Sequence, residues 1–133
     1  MRWNLRDGVQ DLLAALKTTG IKIGLVSNVG RKALEKALLK LDLHPFFSVV
    51  VSRNDVQFMK PSGEGLHLAL SRLQVIKDKA LYVGDSLDDI QAAEATGVKV
   101  IIILDKENSN EEILSAGAHQ LIYHFDELLT AFT

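Results

Sequence analysis

The stretch Leu81-Tyr82-Val83-Gly84-Asp85-Ser86-Leu87-Asp88-Asp89 decides the fold of this chain. Its first residues predict an apolar strand, and Gly-Asp-Ser predicts the tight turn that ends the strand. A second carboxylate, Asp89, follows Asp85 about one helical turn later. A buried strand that ends by presenting paired carboxylates allows an α/β protein to build a Mg²⁺ and phosphate site at the edge of its sheet.

Strand-like and helix-like segments alternate on both sides of this stretch. The sequence predicts strands at 21–26, 47–51, 80–83, 99–104 and 119–123. Leucines at helical spacing predict the intervening helices, with one at 87–96, a short one from Ser109 to near Gly117 and a terminal one at 125–132. This alternation predicts a doubly wound, mainly parallel sheet of the α/β class, in one domain that spans residues 1–133.

Composition excludes several classes of function. The chain has 133 residues, of which 47% are hydrophobic and 24% charged, as in ordinary globular domains. Its net charge of -2 gives no basic footprint for nucleic acid or an anionic membrane. No cysteine is present, which excludes disulfides and thiolate chemistry. With no signal-like or membrane-length apolar run, we expect a cytoplasmic protein.

Polar residues that suit phosphate chemistry fall where predicted strands end. Ser27 and Asn28 follow the strand at 21–26, and a hydroxyl with main-chain N–H groups at a helix start can cradle a phosphate. Lys60 precedes Pro61, which we expect to open a helix, and its ammonium could neutralise phosphoryl oxygens. The plainer interpretations are a helix N-cap for Ser27 and a solvated turn for Lys60.

The acidic pair also has two interpretations. Asp85 and Asp89 could hold a divalent cation, directly or through water. Alternatively, Asp85, Ser86 or Asp88 only caps the helix that follows. Because the carboxyl ends of parallel strands meet at one edge of the sheet, we expect the acids to converge with the polar residues of the other strands, which favours a site.

In chain order, Val26-Ser27-Asn28, Lys60-Pro61 and Val83-Gly84-Asp85-Ser86-Leu87-Asp88-Asp89-Ile90 resemble three motifs of the haloacid dehalogenase superfamily. The surrounding segments are similar to its phosphoglycolate-phosphatase-like branch, and the resemblance spans nearly the whole chain. It implies a Rossmann-like core and a Mg²⁺-dependent phosphatase that acts on a phosphorylated small molecule.

The resemblance also implies a role for each residue. Ser27, with Asn28 beside it, would bind a phosphoryl oxygen. Lys60 would be catalytic, stabilising both the phosphoryl group and the charge of the nucleophile. Asp85 would ligate Mg²⁺, with Asp89 supporting it through water or hydrogen bonds. The reaction would be phosphoester hydrolysis through an aspartyl-phosphate.

One departure from the family is large. Its members carry an Asp-x-Asp motif on an earlier, central strand, and this motif supplies the nucleophile and the acid/base; this sequence contains no Asp-x-Asp. The cap domain, which would lie between the first and second motifs, is absent as well. Without the central strand, either the strands that end at Ser27 and Asp85 pair directly, or their unpaired backbone groups need another partner.

Two functions therefore remain open. The first is a phosphatase core, truncated and catalytically incomplete as given, with little or no turnover expected. The alternative is a non-catalytic binding or interaction module, completed by a homo-oligomer or by a strand-supplying partner. A receiver domain shares the sheet and the Asp/Lys chemistry, but its acidic pair precedes its lysine, whereas here Lys60 precedes Asp85.

Overall fold

The computed structural model describes residues 8–104, 111–118, 120–123 and 127. The α-helices and strands alternate through these residues, in the order α1 (Val9–Thr18), β1 (Gly24–Val26), α2 (Arg31–Lys40), β2 (Val49–Val51), α3 (Glu64–Leu73), β3 (Leu81–Gly84), α4 (Leu87–Thr96), β4 (Lys99–Ile103), α5 (Glu111–Ser115) and β5 (Gln120–Ile122). Short 3-10 helices lie at His44–Phe46, Arg53–Asp55 and Lys77–Lys79. The predicted α/β class is confirmed.

The strands form two parallel sheets rather than one. β1 pairs with β2, so that Leu25 lies opposite Val50. In the second sheet β4 lies between β3 and β5, with Val83 opposite Ile101 and Ile102 opposite Leu121. Every pairing is parallel, as the helical connections between successive strands require.

β1 and β3 do not pair with each other, so the first alternative for the missing central strand is wrong. β4 has a neighbour on each side, and it is buried from Val100 to Ile103. Each residue of β1 and β3 is only half-buried. Each of these strands thus keeps one edge without a strand partner in the part of the chain that the structure describes. We call the space between β1 and β3 the strand gap.

Helices cover both faces of the sheets and span the strand gap. On one face, α1 places Leu12 and Leu16 against the second sheet and Leu13 against α2. Ile23, just before β1, packs in the same cluster as Val83 of β3. On the other face, α3 and α4 pack against each other and over the two sheets. The two sheets are therefore halves of one doubly wound core.

Most predicted elements are confirmed, and the two largest boundary errors are of three residues each. The helix predicted at 87–96 has these limits in the structure, with Gly97 in the left-handed conformation that ends it. The strand predicted at 21–26 pairs only over Gly24–Val26, since apolar character predicts burial but not a pairing partner. Pro61 does not open a helix, because the chain turns through Ser62 and Gly63 before α3 begins at Glu64.

Some predictions lie wholly or partly outside the described residues. They are the capping side chains of the short helix, Ser109 and Glu112, and most of the terminal helix at 125–132. In the described part of the chain, no helix has the length and apolar character needed to cross a membrane.

Candidate active site

The turn after β3 is built around the carboxylate of Asp89. Ser86 caps α4: its hydroxyl oxygen accepts the main-chain N–H of Asp89 at 3.3 Å. In return, Asp89 Oδ2 accepts the Ser86 hydroxyl at 2.9 Å and the main-chain N–H groups of Asp85 and Ser86 at 2.9 and 3.1 Å. This reciprocal capping box makes the predicted cap and the predicted site parts of one structure.

Gly84 is required by the close approach of this carboxylate. A Cβ at residue 84 would lie 2.5 Å from the Cβ and Cγ of Asp89. Only a residue without a side chain allows Asp89 to fold back over the end of β3 and reach the N–H groups of the turn.

The second oxygen of Asp89 binds a lysine from a distant part of the chain. Lys60 Nζ lies 2.7 Å from Asp89 Oδ1, and the two side chains are only 14% and 5% exposed. The Tyr82 hydroxyl donates to the same oxygen at 2.7 Å and accepts from Lys60 Nζ at 3.0 Å. Lys60, Tyr82 and Asp89 thus form a closed triangle of hydrogen bonds, which we call the lysine triangle.

The charges of the lysine triangle are set by burial and by its ion pair. Burial alone would raise the pKa of Asp89, but the Lys60 charge and the hydrogen bonds from Lys60, Tyr82 and the main chain of Asp85 outweigh it, so the pKa lies below its ordinary value. Burial, and then the negative charge of Asp89, raises the pKa of Tyr82 far above its ordinary value. Tyr82 therefore stays neutral and keeps its proton to donate.

Asn28 connects the lysine triangle to the other sheet. Its side-chain amide accepts the Lys60 main-chain N–H at 2.9 Å and donates to the Lys60 main-chain oxygen at 3.2 Å. Asn28 follows β1, whereas Asp89 follows β3, so Lys60 is tied to the carboxyl ends of both strands. With Asn28, the triangle therefore bridges the strand gap at its carboxyl end. The Lys60–Pro61 peptide bond, which follows the triangle lysine, is cis.

Ser27 is half-buried at the end of β1. Its main-chain N–H continues the sheet by donating to the Val51 oxygen at 2.9 Å, and its hydroxyl oxygen accepts the Val29 N–H at 3.1 Å. Because the oxygen is the acceptor in that bond, the hydroxyl proton can be donated to another group. The local turn thus holds the hydroxyl in place without using its donor.

The acids match Mg²⁺ chemistry only in part. Asp85 is exposed on the turn after β3, where its carboxylate can supply one ligand. Both oxygens of Asp89 already accept hydrogen bonds, which favours a supporting role over direct ligation. Within the described residues, no three acidic or histidine side chains are grouped as a metal site would need. Mg²⁺ often uses only one or two carboxylates, with water and substrate phosphate completing the shell.

Hydrogen bonds join four of the five predicted site residues, whereas those of Ser27 are made with Val51 and Val29. One partner was missed. The structure ties Asn28, Lys60 and Asp89 together directly and places Asp85 on the turn that holds Asp89. Sequence reasoning did not single out Tyr82. The signal was its position in β3: alternate strand residues share a face, so Tyr82 lies on the same face as Gly84, over which Asp89 folds.

A second serine–aspartate capping box lies after β2. There Asp55 accepts both the main-chain N–H and the hydroxyl of Ser52, at 2.7 and 2.8 Å, and forms an ion pair with Arg31. The hydrogen bond from the Ser52 main chain, and then its hydroxyl and the Arg31 guanidinium, hold the pKa of Asp55 below its ordinary value despite partial burial. We call this group the arginine box.

A surface cavity of about 520 Å³ lies beside the arginine box, lined by Gly30, Arg31, Lys32, Ala33, Arg53 and Asn54. It does not include the lysine triangle. Arg31 already faces Asp55 and Glu35, so part of its charge is neutralised before any ligand arrives. We therefore place the candidate site at the strand gap and not in this cavity.

The fold and site define a doubly wound α/β protein with a buried lysine–carboxylate cluster at the carboxyl ends of its strands. The chain belongs to the haloacid dehalogenase-like hydrolase family, because residues 2–103 match the model of that family. The resemblance seen in the sequence motifs is thereby confirmed.

Curated relatives are named as phosphatases. The chain is 38% identical over 123 residues to a phosphoglycolate phosphatase of Salmonella choleraesuis and 35% identical to one of Escherichia coli. These alignments cover 92% of this chain and 49% of each relative. The chain therefore spans about half the length of the curated relatives that it matches.

Solved structures show the same fold. CbbY from Rhodobacter sphaeroides, solved in complex with phosphate, is 30% identical with a TM-score of 0.84, over 93% of this chain and 56% of that one. A HAD phosphatase from Thermococcus onnurineus is 28% identical with a TM-score of 0.85, over 97% of this chain and 58% of that one.

Proposed function

We propose that this chain is the core of a Mg²⁺-dependent, cytoplasmic phosphatase for a phosphorylated small molecule, and that it holds residues for binding the phosphoryl group and the metal but lacks the nucleophile and the acid/base. The observation that carries the proposal is the position of Lys60. Its main chain is held by Asn28, which follows β1, and its ammonium is held by Asp89, which follows β3, so a positive charge is fixed at the end of the strand gap. The names of the relatives support the reaction class.

The chain's own residues would bind and orient the phosphoryl group. Two of the three Lys60 ammonium hydrogens go to Tyr82 and Asp89, and the third can donate to a phosphoryl oxygen. The Ser27 hydroxyl would donate to a second oxygen, with Asn28 beside it positioning Lys60. Asp85 would hold Mg²⁺, which when bound would neutralise charge on the phosphoryl oxygens. Asp89 would support the metal site through the main chain of Asp85.

The attacking group would enter with a strand in the strand gap. β1 and β3 run parallel to their partners, and apolar side chains line both faces of the gap, Ile23 and Val83 on one face and Val26 and Tyr82 on the other. A parallel, apolar strand would satisfy both open edges. If it ended in Asp-x-Asp, its first carboxylate would attack phosphorus, and the bond to the leaving oxygen would break. The second aspartate of the motif, in its carboxylic acid form, would protonate that oxygen, and water would then hydrolyse the aspartyl-phosphate.

The test is hydrolysis of p-nitrophenyl phosphate by two forms of the protein. One is the chain as given. The other, which we call the completed chain, carries an N-terminal apolar segment that ends in Asp-x-Asp and is joined by a flexible linker. We expect little turnover from the first form and Mg²⁺-dependent turnover from the second, lost when the segment carries Asn-x-Asn instead.

Asp85→Asn and Asp88→Asn form a matched pair within the completed chain, because both carboxylates are exposed near the start of α4. We expect Asp85→Asn to abolish turnover and Asp88→Asn to keep it. Equal Mg²⁺-dependent turnover with and without the Asp-x-Asp segment would overturn the claim of an absent nucleophile.

The open edges of β1 and β3 support a second candidate function, a non-catalytic module completed by a homo-oligomer or by a strand from another polypeptide. A folded but inactive completed chain would favour this candidate. Its direct measurement is the molar mass in solution: a stable oligomer of the chain as given supports completion by a second copy, and a monomer contradicts it.

A further inference from the structure

The position of the Lys60 ammonium depends on more than its ion pair. A lysine side chain has several rotatable bonds, so a single carboxylate partner leaves the ammonium free to swing about one contact. In this structure Asp89 Oδ1 and the Tyr82 hydroxyl both accept from Lys60 Nζ, at 2.7 and 3.0 Å. The two acceptors are themselves joined, at 2.7 Å. Moving the ammonium would therefore break two bonds of a closed triangle.

We propose that Tyr82 is a positioning residue, whose hydroxyl fixes the Lys60 ammonium against Asp89 so that the remaining N–H faces the carboxyl end of the strand gap. The catalytic consequence of this role rests on the proposed function. The positioning itself is a property of the chain as given, and it can be tested without any turnover.

Packing alone would not require the hydroxyl. The ring of Tyr82 lies at the edge of the core formed by α3, α4 and β4, and the Lys60 ammonium sits 5.7 Å from the ring centroid. Phenylalanine would keep both the packing and this ring contact. Tyr82→Phe therefore removes only the hydroxyl, the one atom to which the proposal assigns a function.

The experiment follows the Lys60 ammonium by NMR in protein with isotope-labelled lysine, with the signal assigned through Lys60→Arg. We expect a slowly exchanging signal in the parent, because both partners shield it from water. In Tyr82→Phe we expect its hydrogen exchange to be faster by about fivefold, the loss that one net hydrogen bond implies. Tyr123→Phe, at the other tyrosine of the chain and on an exposed side chain, should leave the signal unchanged.

Two results would overturn the proposal. One is an unchanged Lys60 exchange rate in a folded Tyr82→Phe protein. The other requires no variant, and it decides the matter if Tyr82→Phe does not fold: in the parent, the Tyr82 hydroxyl proton should show a nuclear Overhauser contact to the Lys60 ammonium, and absence of that contact from an observed hydroxyl signal contradicts the triangle.

Activity then separates this inference from the proposed function. In the completed chain, we expect Tyr82→Phe to lower kcat by about tenfold with little change in KM, as loss of an interaction used mainly in the transition state does. A completed chain without activity would count against the proposed function and would leave the NMR result standing. If Tyr82→Phe has a normal kcat but faster Lys60 exchange, the effect of Tyr82 on turnover is overturned and its positioning of Lys60 still stands.

Discussion

The lysine triangle and the arginine box are built from the same local sequence pattern, Ser-x-x-Asp, and they differ in what lies around it. In both, the aspartate accepts a serine hydroxyl and a main-chain N–H and pairs with a cation from a distant part of the chain. The arginine box is partly exposed and ties α2 to the turn after β2. The triangle is buried between two sheets, and its cation retains a donor for a ligand.

The comparison teaches that a capping box becomes a candidate site through its position in the fold. Arg31 Nη2 donates to Asp55 and to the Val50 main-chain oxygen, which fixes a helix to a strand. Lys60 instead lies where two open sheet edges converge, tied through Asn28 to the end of β1 and through Asp89 to the turn after β3. Capping chemistry therefore stabilises both turns, and we propose only the one at the strand gap as the functional site.

The largest expected difference is in activity. In the completed chain, Lys60→Met should lower kcat/KM for p-nitrophenyl phosphate by about a thousandfold, the loss seen when one donor to a transition-state oxyanion is removed. Arg31→Met should leave it nearly unchanged, since Arg31 pairs with Asp55 and Glu35 and lies outside the lysine triangle. Steady-state kinetics measure both. Comparable losses in the two variants would mean that the two clusters do not differ in function.

Stability should differ next. Asp89→Ala removes the partner of a buried ammonium and should lower the free energy of unfolding by about 3 kcal/mol or more. Asp55→Ala leaves Arg31 access to water and should lower it by about 1 to 2 kcal/mol, mostly through the lost cap. Urea unfolding of the chain as given measures both changes. Equal destabilisation would contradict the burial that separates the two clusters.

A single methyl group tests the geometry of each turn. Gly84→Ala places a Cβ 2.5 Å from Asp89 and should cost about 2 kcal/mol by forcing the carboxylate aside. Gly30→Ala is the matched change beside the arginine box, where the nearest atom, Asn54 Oδ1, is 3.4 Å away. It should cost at most about 1 kcal/mol. If the two changes cost the same in thermal unfolding, the close approach at Gly84 is not tight.

The smallest expected difference between the two clusters is in how much stability each loses at low pH, and high salt should make that difference measurable. Both aspartates have a pKa lowered from the ordinary value of 3.8, so each contributes stability above that pH that is lost as pH falls through the folded-state pKa. The free energy of unfolding should therefore decrease as the pH is lowered from about 5. High salt should reduce the contribution of Asp55 to the free energy of unfolding more than that of Asp89, because the Asp55 ion pair is more exposed. The free energy of unfolding of Asp55→Asn and of Asp89→Asn, measured against pH at low and at high salt, gives the contribution of each aspartate. An equal effect of salt on the two contributions would contradict the difference in exposure between the two clusters.

The sequence predicted the elements best where local chemistry defines both ends. α4 has a serine cap at its start and Gly97 at its end, and its limits were predicted correctly. β1 is shorter than predicted because its length depends on a pairing partner that local apolar character cannot reveal. The helix expected at Pro61 begins three residues later, because the turn that carries Lys60 has to finish first.

The candidate site residues could be proposed from the sequence, but their contacts could not. Ser27, Lys60 and Asp85 were proposed because parallel strands bring their carboxyl ends to one edge. The sequence could not predict the hydrogen bonds between the Asn28 side chain and the main chain of Lys60, since the two residues are 32 positions apart. Tyr82 was missed although its place on the same strand face as Gly84 was a signal, because the contact with Lys60 that gives it a role joins distant parts of the chain.

The measurement that tests the central claim most directly is a crystal structure of the completed chain with Mg²⁺ and inorganic phosphate. The account predicts phosphate at the carboxyl end of the strand gap, with its oxygens in hydrogen-bond contact with Lys60 Nζ and the Ser27 hydroxyl and with Asp85 at the metal. Phosphate bound instead in the cavity beside Arg31 and Arg53, with none at Lys60, would contradict it.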